Sequence, residues 1–247
     1  MNPLNHFAKR ARKYNRSSQW VDDKVLIRKI CDLAQAGPKA SVLDVAIGTG
    51  KIAQAFFGRV KYIVGIDICR EMSGQAKGCV DKIFLAPAES LPFKSNTFDA
   101  CVCRQGMQFM EVDVVLSEIF RVLKPGGRLV LCHLTAYGRL DKDETFLIQK
   151  LRNPARKNFF LEQDFRRALA KLPFAGIKFF GYITKESVNQ WIGNAAIKEE
   201  QIKKIKEVYK NASPVFKKLH KIEFRDGDVF DSMKMLIVRA RKKGTYD

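Results

Sequence analysis

The sequence predicts an α/β fold, a mostly parallel sheet with helices on both faces, and three observations carry that reading. The first is Ser41-Val42-Leu43-Asp44-Val45-Ala46-Ile47-Gly48-Thr49-Gly50, a short apolar run broken by one carboxylate and followed by a glycine turn into a helical stretch at 51–57. The second is Tyr62-Ile63-Val64-Gly65-Ile66-Asp67, another buried run that ends in an acid. The third is that further apolar runs, at 82–86, at 100–103 and after Pro125-Gly126-Gly127, alternate with helical stretches such as 114–123. With 247 residues, 46% of them hydrophobic, the chain can bury the core of one such domain, spanning 1–247.

In chain order, 5–31 has helical apolar spacing at Val21, Val25, Leu26 and Ile30, with Asp22 and Asp23 suited to an early turn. Gly37-Pro38 breaks the chain before the first strand. Beyond that strand, Gly48 and Gly50 tolerate positive φ and carry no Cβ, so the following helix offers its free N–H groups to a ligand on the loop. Two ligands suit this arrangement. Gly48-Thr49-Gly50-Lys51-Ile52-Ala53 satisfies the G-x-G-x-x-G/A dinucleotide fingerprint, and Asp67 stands near the expected spacing of about 20 residues. Asp44 favours S-adenosylmethionine instead, because a carboxylate beside the loop disfavours a pyrophosphate but suits a cationic amino-acid moiety. At the end of the second strand, Asp67 can accept both hydroxyls of a ribose, and Ile68 and Met72 follow as apolar candidates for packing adenine.

Four stretches together resemble the class I S-adenosylmethionine-dependent methyltransferases of the ubiquinone/menaquinone-biosynthesis type (methyltransferase type 11). Asp44 to Gly50 is similar to motif I, D-x-G-x-G-x-G, with Ala46 replacing the first glycine. Ile66-Asp67-Ile68-Cys69-Arg70-Glu71-Met72 resembles D-x-S-x-x-M, and Pro87-Ala88-Glu89-Ser90-Leu91-Pro92-Phe93 resembles D-A-E-x-L-P-F. In the latter, Pro87 replaces the acid that usually holds the adenine amino group, leaving the Ala88 amide and Glu89. Leu123-Lys124-Pro125-Gly126-Gly127-Arg128-Leu129 is the fourth match. Before them, Phe7 to Asn15 is similar to an F…A…Y-D entry whose helix folds over the active site, which puts Tyr14 toward cofactor and substrate.

The resemblance implies a Rossmann-like seven-stranded sheet with its last strand antiparallel and extra helices in the C-terminal half. It divides the domain into covering helices (1–38), a cofactor-binding core (39–135) and a substrate-side half (136–247). The implied cofactor is S-adenosyl-L-methionine, held by Asp44, Ala46, Gly48, Gly50, Asp67, Ile68, Met72, Ala88, Glu89 and Arg104. Loops at the carboxyl ends of strands host the ligand in such sheets. The substrate set is therefore Tyr14, Gln105, Gln108, His133 and Tyr137, with Arg104, Tyr14 and His133 nearest the chemistry and His133 a candidate base. Because the donor is already activated, alignment and exclusion of water suffice unless the acceptor must lose a proton.

Beyond Tyr137 the pattern gives helices at 162–172, 186–191, 197–209 and 215–222, strands at 176–183 and 231–240 with a turn at Asp226-Gly227-Asp228, and a frayed end from Lys242 to Asp247. The net charge is +19, distributed as +5 over 1–38, +2 over 39–149 and +12 over 150–247, so the core is nearly neutral and its flanks basic. A small-molecule or lipid-like acceptor fits the resemblance. An acidic carrier protein would suit the flanks, since the entry segment and Met107-Gln108-Phe109 are also similar to the malonyl-carrier-protein methyltransferase of biotin synthesis. RNA rests on charge alone, and a non-catalytic protein that binds the donor is the remaining alternative. The six cysteines form no C-x-x-C pair and read as buried small hydrophobes, with no metal proposed. No run of about 18 apolar residues and no apolar stretch behind the basic amino terminus is present, which gives a cytoplasmic expectation with no membrane span.

Overall fold

A computed structural model describes residues 3–193 and 197–244. Helix α1 (Pro3–Arg10) runs into two short 3-10 turns and then α2 (Lys24–Ala34). The core follows as β1 (Ser41–Val45), α3 (Lys51–Phe56), β2 (Tyr62–Asp67), α4 (Arg70–Ser73), β3 (Lys82–Leu85), β4 (Phe98–Arg104), α5 (Val112–Val122) and β5 (Leu123–Thr135). The remainder is α6 (Lys142–Arg152), α7 (Glu162–Ala170), β6 (Phe174–Ser187), α8 (Val188–Gly193), α9 (Glu199–Asn211), α10 (Pro214–Leu219), β7 (Glu223–Arg225) and β8 (Asp228–Lys242).

The strands order as β3-β2-β1-β4-β5-β8-β6, with short β7 paired to β8. The strands β1 to β5 are mutually parallel, and β8 lies antiparallel between β5 and β6. This is the expected seven-stranded sheet with an antiparallel last strand, plus one hairpin strand formed around the Asp226-Gly227 turn. Period-two alternation divides the core between the two faces. Val42, Ile63, Ala100, Val102, Val130, Cys132 and Ile237 pack under α2, α3, α8, α9 and α10. Their neighbours Leu43, Val64, Cys101, Cys103, Leu129, Leu131 and Leu236 pack under α5 and α7. All six cysteines are free, and burial pushes the thiols of Cys103 and Cys132 up to about 12.

Local chemistry sets the boundaries. Asp23 caps α2, accepting from the N–H groups of Val25 (2.9 Å) and Leu26 (3.0 Å), an arrangement worth about 1 kcal/mol. Pro125-Gly126-Gly127 does not precede β5 but is accommodated within it. Strand register jumps from Phe98 opposite Leu123 to Ala100 opposite Arg128, and Gly127 fits where an added Cβ would stand 2.8 Å from the Lys124 carbonyl oxygen. The apolar spacing predicts no helix where α6 lies. That helix carries only Thr145, Ile148, Gln149 and Arg152 as buried residues, too polar a face for hydrophobic periodicity to reveal. The sequence also placed Lys242 in a frayed end, whereas its ammonium donates to Asn96 Oδ1 (2.9 Å) and to the Phe120 and Leu123 carbonyls (both 2.8 Å). Residues 245–247 of that stretch lie outside the described residues.

Candidate active site

Strand order reverses between β1 and β4, so the loops leaving their carboxyl ends diverge and open a cleft between them. In the loop after β1, Gly48 has φ +54° and Gly50, capping α3, has φ +78°. An added Cβ at Gly50 would stand 2.6 Å from that of Ala76, so this glycine answers to packing rather than to the cleft. Ala46 adopts φ +57°, a conformation that is strained for any residue with a Cβ. Opposite it, a Cβ at Gly106 would come within 2.7 Å of the Ala46 methyl, so the two loops approach at van der Waals range.

The two carboxylates singled out in the sequence differ in their partners. Asp67 is held between loops, Oδ2 accepting from Gly48 N (2.9 Å) and Oδ1 from Cys69 N (2.8 Å). Burial raises its carboxyl pKa, and those N–H groups oppose the rise. Asp44 is 2% exposed, and its Oδ2 is buried with no hydrogen-bond partner. Burial pushes its pKa up to about 7 against the pull of the Arg104 guanidinium. A buried orphan acceptor of this kind is costly unless a ligand supplies the donor.

The cleft encloses about 710 Å³ including its open mouth, the size of a small-molecule site. Asp67, Ile68, Met72, Ala88 and Glu89 line it together with Ala46, Gly48, Tyr14, Arg104 and Gln105. A recess off the cleft holds Asp44 with Tyr14, Trp20 and Arg104. Most of the expected cofactor set is thus brought together, and Gly50 is not among the lining residues. Glu89 also accepts from Glu111 N (3.1 Å), bridging the loops after β3 and β4.

Three residues of the expected catalytic and substrate sets sit elsewhere or make other contacts. Arg104 donates to the carbonyls of Trp20 (3.1 Å) and Val21 (3.2 Å), so it fastens the amino-terminal segment to β4. His133 lies behind the cleft, stacked on Phe165, with Nδ1 3.2 Å from Gln108 Oε1; Gln108 in turn donates to the Gln105 carbonyl (2.8 Å). Burial and nearby Arg156 push its pKa down to about 3, too low for an effective base at neutral pH. Tyr137 donates to the Ser232 carbonyl (2.5 Å) and packs on His220, away from the cleft.

Amino-terminal residues cover the site through several tethers. Thr49 Oγ1 donates to Asn15 Oδ1 (2.6 Å), Lys51 pairs with Asp22 (2.8 Å) and Gln75 donates to the Ala11 carbonyl (2.6 Å). Glu186 accepts from Gln19 N (2.9 Å) and Trp20 N (3.1 Å). Phe7 reaches across to Phe109, ring centroids 4.9 Å apart. Sequence reasoning missed Trp20, Phe109 and the arginines 10, 152 and 156 as cavity residues, because they come from segments that only the tertiary fold brings together. The basic excess after residue 150 was the one available signal.

Comparison with known proteins agrees with this geometry. The family model described as a methyltransferase domain matches residues 43–131. The chain is 33% identical over 195 residues to the ubiquinone/menaquinone biosynthesis C-methyltransferase of Allorhizobium ampelinum, covering 66% of this chain and 74% of that protein. An uncharacterised protein of Methanocaldococcus jannaschii is 31% identical over 193 residues, or 74% of this chain and 87% of that one. The YcgJ protein of Bacillus subtilis shares the fold, with TM-score 0.81 and 22% identity over 88% of this chain and 97% of that one. Fold, cleft and relatives define a class I S-adenosylmethionine-dependent methyltransferase. Within that class, the chain belongs to the methyltransferase-domain family that includes the ubiquinone/menaquinone biosynthesis C-methyltransferases.

Proposed function

We propose that the protein methylates a small-molecule or lipid-like acceptor enclosed beneath its amino-terminal cover. The observation that carries this reading is the place of the amino-terminal segment in the site: Phe7 and Tyr14 line the cleft and Trp20 its recess, walls that suit a compact acceptor rather than a macromolecular surface. The residues present fit the donor. Asp44 Oδ2, buried and unpartnered, suits its ammonium group. Asp67 suits the ribose hydroxyls, while Ile68, Met72 and Ala88 form an apolar wall for adenine. What such a donor supplies is an activated methyl whose departure leaves a neutral thioether. The chain's own task is to align the acceptor and exclude water, served by Tyr14, Gln105 and the cover fastened by Arg104.

The relative from Allorhizobium is named for quinone biosynthesis, which favours a small acceptor with an apolar part here as well. No helix among the described residues is long and apolar enough to cross a membrane. A cytoplasmic site of action is supported by the six free thiols. The test is transfer from methyl-labelled donor into cell extract separated into metabolite, protein and RNA fractions. Label is expected in the metabolite fraction. Label confined to RNA or to a carrier protein would replace this acceptor class, and donor binding without transfer would favour a non-catalytic role.

A further inference from the structure

A second cavity of about 430 Å³, mouth included, adjoins the cleft, with Phe7, Tyr14, Gln105 and Phe109 lining both. Three arginines converge on it: Arg10 (4% exposed) from α1, Arg152 (9%) from the end of α6, and Arg156 (6%) from the segment beyond. Among the described residues no acidic side chain lines this cavity. Arg152 donates through Nε to the Trp191 carbonyl (3.2 Å), and its guanidinium lies 4.3 Å from the Trp191 ring centroid. Its Nη2 is buried with no hydrogen-bond partner. Arg156 Nη1 donates to Gln149 Oε1 at 2.5 Å, and Arg10 sits over the Tyr14 ring at 5.4 Å.

Collecting buried cations without a carboxylate among them is unfavourable, and the charges register it. Burial lowers the pKa of all three arginines, Arg156 to about 9, and Arg10 and Arg156 both act against Arg152. His6, beside Arg10, is pushed down to about 4 by burial and by Arg10 and Arg152, so it stays neutral. The carboxylate acting on Arg152 is Glu186, whose oxygens are committed to the Gln19 and Trp20 N–H groups and the Thr184 hydroxyl. Among the described residues, neither Arg152 nor Arg156 makes a hydrogen bond to a carboxylate.

We infer that the methyl acceptor carries an oxyanion, a carboxylate or a phosphate, and that Arg152, Arg156 and Arg10 receive it in this cavity. The planar guanidinium fork matches both oxyanions, and the unpartnered Nη2 of Arg152 supplies a ready donor. An acceptor anchored here extends past Tyr14 and Gln105 toward the cleft, with its apolar part against Phe7 and Phe109. This inference rests on the small-acceptor reading above and makes it specific.

Both tryptophans of the chain, Trp20 and Trp191, line the cavity, so intrinsic fluorescence reports its occupancy. The full-length protein, with and without saturating S-adenosylhomocysteine, is titrated with benzoate, phenyl phosphate and uncharged benzamide. At least one anion is expected to bind roughly tenfold or more tightly than benzamide, as charge-assisted pairing requires. Preference for benzoate points to a carboxylate acceptor, and preference for phenyl phosphate to a phosphorylated one. Arg152→Gln should abolish the preference. Because Arg152 also supports Trp191, Arg10→Gln on the outer cover is the second variant, expected to weaken the anion severalfold with S-adenosylhomocysteine affinity retained. Equal binding of benzamide and both anions, or an unchanged preference in either folded variant, overturns the inference. Anion selectivity without S-adenosylhomocysteine binding would instead sustain the anion site and overturn the donor cleft.

Discussion

Asp44 couples stability, pH and donor binding in one buried carboxyl group. Its folded pKa, raised to about 7 from 3.8, means that the folded chain holds this proton more tightly than the unfolded one. Stability is therefore undiminished below pH 3.8 and declines as pH rises toward 7, by on the order of 4 kcal/mol for a shift of this size. In the donor-free protein, Asp44→Asn should raise the urea midpoint at pH 8 and change it little near pH 4; an equal effect at both pH values would place the strain elsewhere. The same substitution should weaken donor binding, because the ammonium loses its charged acceptor. Wild-type affinity should itself fall below pH 7 by at most about tenfold per pH unit, since the donor must displace that proton. Removing Asp67 tests the other carboxylate. Asp67→Ala should cost about 1.5–3 kcal/mol of donor binding, with Asp67→Asn as the milder control because the loop N–H groups of Gly48 and Cys69 also depend on this side chain. Both acids were legible in the sequence because a lone carboxylate at or next to the end of an apolar strand has few purely structural explanations. His133 and Tyr137 were misplaced on the same positional logic: a strand's carboxyl end fixes where the backbone goes, not which of its two faces a side chain enters.

Among the elements, the amino-terminal cover was anticipated from Phe7 to Asn15, and the structure adds how it is fastened. Its tethers reach the glycine loop, β4, the segment after α4 and β6, partners that no local pattern announces. Deleting residues 1–16 should leave the far-ultraviolet circular dichroism of the core intact yet speed S-adenosylhomocysteine release by roughly tenfold, as loss of a lid does; an unchanged release rate would make the cover a passive strap. The C-terminal helices were found approximately, but what joins them was not. His220 stands between Asp231 (2.8 Å from Nδ1) and Asp141 (3.1 Å from Nε2), with Tyr209 donating to Asp231 (2.7 Å), so α6, α9, α10 and β8 share one polar knot. Burial opposes the imidazolium, but the two carboxylates outweigh it and raise the pKa to about 9. The resulting stability is present in full below pH 6.5 and lost as pH rises through about 9. Urea unfolding between those values should show this loss, and His220→Gln should flatten it; the same slope in both proteins would exclude His220 as its source.

Across the whole molecule, the sheet was legible because buried parallel strands appear as short apolar runs punctuated by glycine and acid. The cavity beyond it was not, since its arginines, aromatic rings and amides come from α1, the segment between α1 and α2, α6, α8 and the loops after β4 and α6. Three of the positive charges behind the +19 net charge sit there, whereas Lys203 and Lys204 pair with Glu199 and Glu200 on the exposed face of α9 and add nothing to the excess. With a small enclosed acceptor, turnover should vary less than about threefold between 50 and 200 mM salt, because buried charges are weakly screened, whereas an RNA substrate would lose affinity by orders of magnitude. The central claim is that the β1–β4 cleft holds S-adenosylmethionine through Asp44 and Asp67, on a glycine loop that also satisfies the dinucleotide fingerprint. Titration calorimetry of the wild-type chain with S-adenosylmethionine and with NAD tests it most directly. The account predicts one-to-one binding of S-adenosylmethionine, weakened in Asp67→Ala, and no heat with NAD; binding of NAD alone, or S-adenosylmethionine affinity unchanged in a folded Asp67→Ala protein, would contradict it.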